Sequence, residues 1–115
     1  MVTIEHIDDE DNLYRRIPQY QYNEKADKIF YCAFKDYELS VDWEKCTTPQ
    51  KTLEGHPNFH LASIKAKFPR TKGQVVEHSP SKRNKAHSLV KGKKTNSIQR
   101  FLRDNSKLIF KQQIT

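Results

Sequence analysis

Alternating and continuous apolar stretches predict the strands of this chain. Between residues 37 and 43 apolar side chains alternate with polar ones, which is typical of a strand with one buried face. Residues 28–35 are apolar almost throughout and rich in β-forming residues, which predicts a strand buried on both faces and paired with 37–43 as a hairpin. Residues 73–80 begin at a glycine, end at a proline and carry two valines, which predicts a short strand. A last strand is expected over 108–114, and residues 86–92 fit either a strand or a first helical turn.

Apolar spacing and capping residues predict three helices before residue 70. Leu13 and Ile17 lie four residues apart, which predicts a short helix that the following proline would stop. The segment TTPQKTLEG, residues 47–55, has a threonine at a cap position, a proline at the first helical position and a glycine at the end, as short helices commonly do. Residues 58–68 carry apolar side chains at three- and four-residue spacing, so a helix ending at Pro69 is expected.

The most pronounced helical pattern spans residues 95–110. It begins with a threonine and an asparagine, either of which can cap a helix, and continues with an apolar stripe. Arg100, Arg103 and Lys107 are separated by three and four residues, so they share one helical face. The sequence therefore predicts a basic helix near the C-terminus.

The mixed order of these elements predicts an α+β fold. With 115 residues the chain is expected to form a single domain, residues 1–115, since this length supports one modest core. No internal repeat is present. The predicted architecture is a mostly antiparallel sheet of three to five strands with two or three helices, of which the basic helix is the last.

Composition indicates a soluble cytoplasmic protein with a lean core. Hydrophobic residues make up 35% of the chain and charged residues 30%. No stretch approaches eighteen apolar residues, and the acidic N-terminus lacks the features of a signal peptide, so neither a membrane span nor a membrane partner is expected. Cys32 and Cys46 have no disulfide-framework or CxxC spacing and are expected to be reduced.

Charge divides the chain into two halves of opposite sign. Residues 1–57 hold seven Lys or Arg against twelve Asp or Glu, a formal charge of −5, whereas residues 58–115 hold fourteen against two, a formal charge of +12. Even if the acidic half folds against the basic half, a large positive surplus remains. Such a field attracts a phosphate backbone and accelerates its encounter.

The densest positive charge lies in SPSKRNKAHSLVKGKK, residues 79–94, just before the predicted basic helix. Helix N-termini carry unpaired backbone N–H groups, and a glycine in this segment permits close approach of an oxyanion. An arginine pair in the acidic half is expected to join the same site across the fold. The predicted phosphate contacts are Lys82, Arg83, Lys85, Lys91, Lys93, Lys94, Arg100, Arg103, Lys107, Arg15 and Arg16.

Nucleic-acid binding through phosphates is the function that these residues favour, with RNA or single strands preferred to duplex. A second hypothesis is a metal-independent ribonuclease in which His78 and His87, on either side of the basic loop, act as acid and base. A third is an adaptor or complex subunit whose basic half docks an acidic protein. Binding without catalysis is the expectation that the residues support best.

No cofactor or metal site is expected. The three glycines, Gly55, Gly73 and Gly92, are too far apart for a Walker loop or a GxGxxG dinucleotide fingerprint. The cysteines and histidines also lack the spacing of a structural zinc site.

Overall fold

A six-stranded antiparallel sheet and a two-stranded ribbon form the body of the computed structural model, which describes residues 3–112. The strands are β1 (Asn12–Pro18), β2 (Tyr22–Asn23), β3 (Lys28–Ile29), β4 (Glu38–Trp43), β5 (Phe59–Lys65), β6 (Val75–His78), β7 (His87–Lys91) and β8 (Lys107–Phe110). The α-helices are α1 (Pro49–Leu53), α2 (Lys67–Thr71) and α3 (Asn96–Asp104). The large sheet has the order β6-β7-β4-β1-β5-β8, and β2 pairs with β3.

One face of the large sheet carries the hydrophobic core. Leu13 of β1 is paired with Trp43 of β4 on one side and with Ile64 of β5 on the other, and all three side chains are buried. A 3₁₀ turn, Tyr31–Phe34, and α3 cover this face. Their apolar side chains pack into the same core cluster as those of the sheet. The core is therefore a layer of turn and helix on one side of a sheet.

The opposite face of the sheet is polar at its centre. Tyr14, Arg16 and Asp42 alternate with core residues along β1 and β4, so their side chains project to this second face. Helix α1 packs against β1 and β5, and Thr52 of α1 accepts a hydrogen bond from Arg16 through its backbone carbonyl. This face positions the polar groups described below.

Strands β1 and β5 occupy residues for which the sequence predicts helices, so those two predictions were wrong. Residues i and i+4 share a face in a strand as well as in a helix, so the spacing of Leu13 and Ile17 does not distinguish the two. Both strands have a neighbour on each side and are covered on both faces near their middle. Consecutive residues such as Leu61 and Ala62 are consequently both buried, which removes the alternation that marks a half-buried strand.

The predicted hairpin of 28–35 with 37–43 was also wrong. Only Lys28–Ile29 of the first segment is a strand, and it pairs with β2, whereas the rest turns into the 3₁₀ turn and fills the core with Ala33 and Phe34. Strand β4 pairs instead with β1 and β7. Because β1 and β5 enter it, the large sheet has six strands among the described residues, more than the three to five predicted.

The α+β class and several elements were predicted correctly. Strand β4, helix α1 with Thr48 as its cap, strand β6 and helix α3 form where expected, and residues 86–92 contain β7. Thr95 caps α3 by accepting a hydrogen bond from the Ile98 N–H at 3.2 Å. The helix ends at Asp104 and is followed by β8, so Lys107 lies on a strand; residues 113 and 114 of the predicted last strand lie outside the described residues.

Candidate nucleic-acid interface

The loop between β6 and β7, residues 79–86, is closed by hydrogen bonds centred on Asn84. The Asn84 N–H donates to Ser81 Oγ at 3.0 Å, and the Ser81 N–H donates to the Asn84 carbonyl at 3.0 Å. The Asn84 side-chain oxygen accepts from the Ala86 N–H at 3.1 Å, and its amide nitrogen donates to Asp42 Oδ1 at 2.9 Å. These hydrogen bonds therefore stabilise the loop internally and connect it to the polar face of the sheet.

Asp42 connects this loop to two other segments. Its carboxylate is 5% exposed and lies 3.6 Å from Arg16 Nη1 through Oδ2, while Oδ1 binds Asn84. Arg16 Nη1 also donates to the Thr52 carbonyl of α1 at 3.2 Å. A buried carboxylate requires such partners, and here they fix a guanidinium beside the loop.

These segments enclose a groove of about 560 Å³. Two carboxylates, those of Asp42 and Glu54, and the His56 ring also line it. The five basic side chains that line it, which we call the basic groove, are those of Arg16, Lys51, Lys82, Arg83 and Lys85. The formal surplus is three positive charges, because five cations face two carboxylates. Burial lowers the pKa of His56 and Arg16 lowers it further, whereas Asp42 opposes the shift.

Acidic residues pair with some cations of the basic half, but not with the lysines and arginine of the loop. Glu10 pairs with Lys65 at 2.8 Å and with Lys67 at 3.0 Å, and Asp9 pairs with Arg70 at 2.8 Å. Four side chains of the groove have no such partner: Lys51, Lys82, Arg83 and Lys85. Within residues 3–112, no carboxylate oxygen lies within 4.0 Å of their charged nitrogens. All four are exposed. The acidic half therefore masks part of the positive charge and leaves the basic groove open.

The continuous basic surface predicted for residues 82–94 is divided by strand β7. Strand β7, His87–Lys91, spans four steps of about 3.3 Å, or about 13 Å, and carries the chain from the loop that contains Lys85 to Lys91 at its far end. Lys91 pairs with Glu77 at 2.6 Å, and Lys93 is exposed at this far end. The loop and the residues before α3 therefore lie at opposite ends of the sheet.

Lys94 is held inside the protein. Its side chain is 7% exposed, and Nζ donates to the carbonyls of Val90 at 2.8 Å, Tyr37 at 3.1 Å and Gly92 at 3.1 Å. Burial lowers the pKa of Lys94 to about 8. Because the Nζ donors already have backbone carbonyls as partners, Lys94 stabilises the backbone around Gly92.

The arginines of α3 lie on the core side of the sheet, away from the basic groove. The Arg100 guanidinium lies over the Tyr31 ring at 4.8 Å, and Arg103 Nε donates to Asp104 at 2.9 Å. Lys107 is exposed on β8, at the sheet edge farthest from the β6–β7 loop. The structure does not bring these side chains together with the loop.

Arg15 and Arg16 project from opposite faces of β1 because they are consecutive residues of a strand. Arg15 faces the core side, where Nε donates to the Ala33 carbonyl at 3.2 Å and Nη1 donates to the Ser40 carbonyl at 3.0 Å. Of the pair, only Arg16 joins the loop.

His78 and His87 also lie on opposite faces of the sheet. His78 is paired with Ser88 across the β6–β7 ladder, so its side chain alternates with that of His87. Both rings are engaged: His78 Nε2 lies 2.7 Å from the Lys85 carbonyl and its Nδ1 accepts from the Glu5 N–H at 3.0 Å, while His87 Nδ1 lies 2.9 Å from the Ser79 carbonyl. This arrangement does not place an acid and a base on one phosphodiester.

Sequence reasoning missed Lys51, His56 and the role of Asp42. Lys51 lies on α1, roughly thirty residues before the loop, and no local spacing links it to Lys82. Asp42 alternates with apolar residues and resembles any exposed strand carboxylate in sequence. Only the pairing of β4 with β1 and β7 places it between Arg16 and the loop.

No group of three or more His, Cys, Asp or Glu side chains within residues 3–112 is arranged to hold a metal ion. No helix among the described residues has the length and apolar character needed to cross a membrane. Comparisons of the chain with protein-family models, with curated proteins and with solved structures gave no match.

Proposed function

We propose that this protein binds nucleic acid and that the basic groove contacts the phosphate backbone. The observation that carries the proposal is the convergence of cations from three separate segments on one groove, without carboxylates pairing the exposed ones. Lys51 comes from α1, Arg16 from β1 and the remaining three from the β6–β7 loop. Phosphate contacts of this kind supply most of the affinity of sequence-independent nucleic-acid binding.

Arg16 and the basic side chains of the β6–β7 loop are suited to binding phosphate for different reasons. Arg16 is about one-third exposed at the side of the groove, and Thr52 and Asp42 fix one end of its guanidinium. A guanidinium held in this way offers its other nitrogens to phosphate oxygens without losing much conformational entropy. The loop lysines and arginine are exposed, so they act as a cationic field toward the nucleic-acid backbone.

The test is the dependence of affinity on salt, measured with fluorescein-labelled RNA and DNA oligonucleotides. Log affinity is expected to fall linearly with log salt, by about 0.7 per phosphate contact on a single strand and about 0.9 on duplex DNA. The triple variant Lys82→Ala/Arg83→Ala/Lys85→Ala removes three contacts, so its slope is expected to be shallower by about 2 on a single strand.

A matched control removes the same charge elsewhere. Lys25→Ala/Lys28→Ala/Lys35→Ala changes three exposed lysines that do not line the basic groove. It is expected to change the slope by much less than the loop variant does. A flat salt dependence for the unmodified protein, or equal effects of the two triple variants, would contradict the proposal. A protein that purifies free of nucleic acid and binds none would leave an acidic protein as the partner of these charges.

A further inference from the structure

A second, apolar groove adjoins the basic groove on the same face of the sheet. It has a volume of about 340 Å³ and lies between α1 and the end of β8. Pro49, Leu53, Pro57 and Phe110 give it its apolar lining, and we call it the apolar groove. Glu54 and His56 line both grooves, so the two grooves meet at these residues.

Two aromatic rings line the apolar groove, Phe110 and His56, and the second of these also lines the basic groove. Phe110 is 42% exposed on β8, which is an edge strand of the large sheet. The His56 ring contacts Phe59 edge-on, with centroids 5.3 Å apart and planes at 84°. Burial lowers the pKa of His56, which favours the neutral form of this ring. Solvent-exposed rings beside a cationic track are the elements with which proteins bind unpaired bases.

We propose that the apolar groove receives a base of a single-stranded nucleic acid whose neighbouring phosphates lie in the basic groove. This inference rests on the proposed function and deepens it, because it names the class of nucleic acid. A nucleotide joins an anionic phosphate to a flat, largely apolar base. The two grooves offer complementary surfaces to these two parts, in contact with each other through His56 and Glu54.

A duplex does not satisfy both grooves. Its bases are stacked and paired inside the helix, so only phosphates and groove edges reach a protein surface unless a base is extruded. A single strand presents its bases without that cost. The apolar groove therefore favours RNA or DNA single strands over duplexes of the same charge.

The test compares an ordinary DNA single strand with an abasic strand of equal length, which keeps every phosphate and removes the bases. The unmodified protein is expected to bind the ordinary strand about tenfold more tightly, since one stacked base contributes that order of affinity. Phe110→Ala is expected to remove most of this preference without changing the salt slope. Phe110→Leu keeps an apolar side chain without the ring and is expected to recover only part of it.

Controls separate this inference from the function on which it rests. Val75→Ala shortens another exposed apolar side chain on the opposite edge strand, β6, and is expected to keep the full preference. Circular dichroism and thermal unfolding verify that each variant folds. Equal affinity for ordinary and abasic strands, with a steep salt dependence, would overturn the inference and leave phosphate binding intact. Tighter binding of duplex, or a dimer that Phe110→Ala converts to monomer, would also overturn it. Absence of binding to any strand would overturn the proposed function itself.

Discussion

Asn84→Ala is the substitution that most directly tests how the basic loop is held. It removes the hydrogen bond to Asp42 and leaves the Ala86 N–H, on a residue only 1% exposed, without its acceptor. A hydrogen bond to a charged group contributes about 1.5–3 kcal/mol to stability and a neutral one about 1 kcal/mol. Because the groove is open to water, water replaces part of the lost hydrogen bonding, and the loss is smaller than the sum of the two upper values. We therefore expect the free energy of unfolding to fall by about 2–3 kcal/mol, which corresponds to a decrease in Tm of roughly 10 °C for a domain of this size.

The assay is urea unfolding of four proteins in a double-mutant cycle: the unmodified chain, Asn84→Ala, Asp42→Ala and the double variant. A direct bond predicts a coupling energy of about 1–2 kcal/mol between the two positions. Ser81→Ala is a control within the loop, because it removes a single hydrogen bond to the Asn84 backbone and is expected to cost about 1 kcal/mol. A loss below about 0.5 kcal/mol for Asn84→Ala, with no coupling to Asp42, would refute the idea that this asparagine organises the loop.

Three further substitutions test other parts of the structure. Lys94→Met removes an amine whose pKa is about 8 in the folded protein and 10.5 as the ordinary value. Between these pH values the unfolded chain binds more protons than the folded one. The free energy of unfolding of the unmodified protein is therefore expected to rise relative to that of Lys94→Met as the pH increases from 7 to 10. The midpoints of urea unfolding measure this difference. Arg15→Ala is expected to lower stability without changing oligonucleotide affinity. Arg16→Ala is expected to weaken binding and to reduce the salt slope by about 0.7–0.9. The reverse pattern would contradict the placement of Arg15 and Arg16 on opposite faces of β1. Thr95→Ala is expected to cost about 1 kcal/mol through the lost cap of α3, and a change below 0.3 kcal/mol in the same unfolding assay would contradict that role.

The sequence predicts well those elements whose own residues determine their structure. Strand β4 has one strictly alternating stretch, and α1 and α3 begin with threonine caps that the structure retains. Strands β1 and β5 were missed because their burial comes from neighbours far along the chain, which cover both faces and remove the alternation. Local pattern does not contain that information.

The candidate site shows the same division between local and long-range information. The dense positive charge of residues 79–94 was found from composition alone and was placed between a strand and a helix, whereas in the structure strand β7 lies within this stretch and residues 79–86 form the loop between β6 and β7. Its extension to Lys91, Lys93 and α3 was not supported, because a strand of five residues carries the chain to the other end of the sheet. Lys51 and Asp42 reach the loop only through the pairing of distant strands, which charge counting along the sequence does not predict.

The order of the strands also has a consequence for how the molecule assembles. Central strands β4 and β1 come from the acidic first half, and the basic second half supplies β6 and β7 on one flank and β5 and β8 on the other. The first half holds only the central pair of strands and the second half two separate pairs, so neither half forms the complete sheet, and we expect folding to be all-or-none and slow, with most pairings formed between distant residues. A chain cut near Gly55 would give two unfolded fragments of opposite charge, which attract each other and reconstitute the sheet only when mixed.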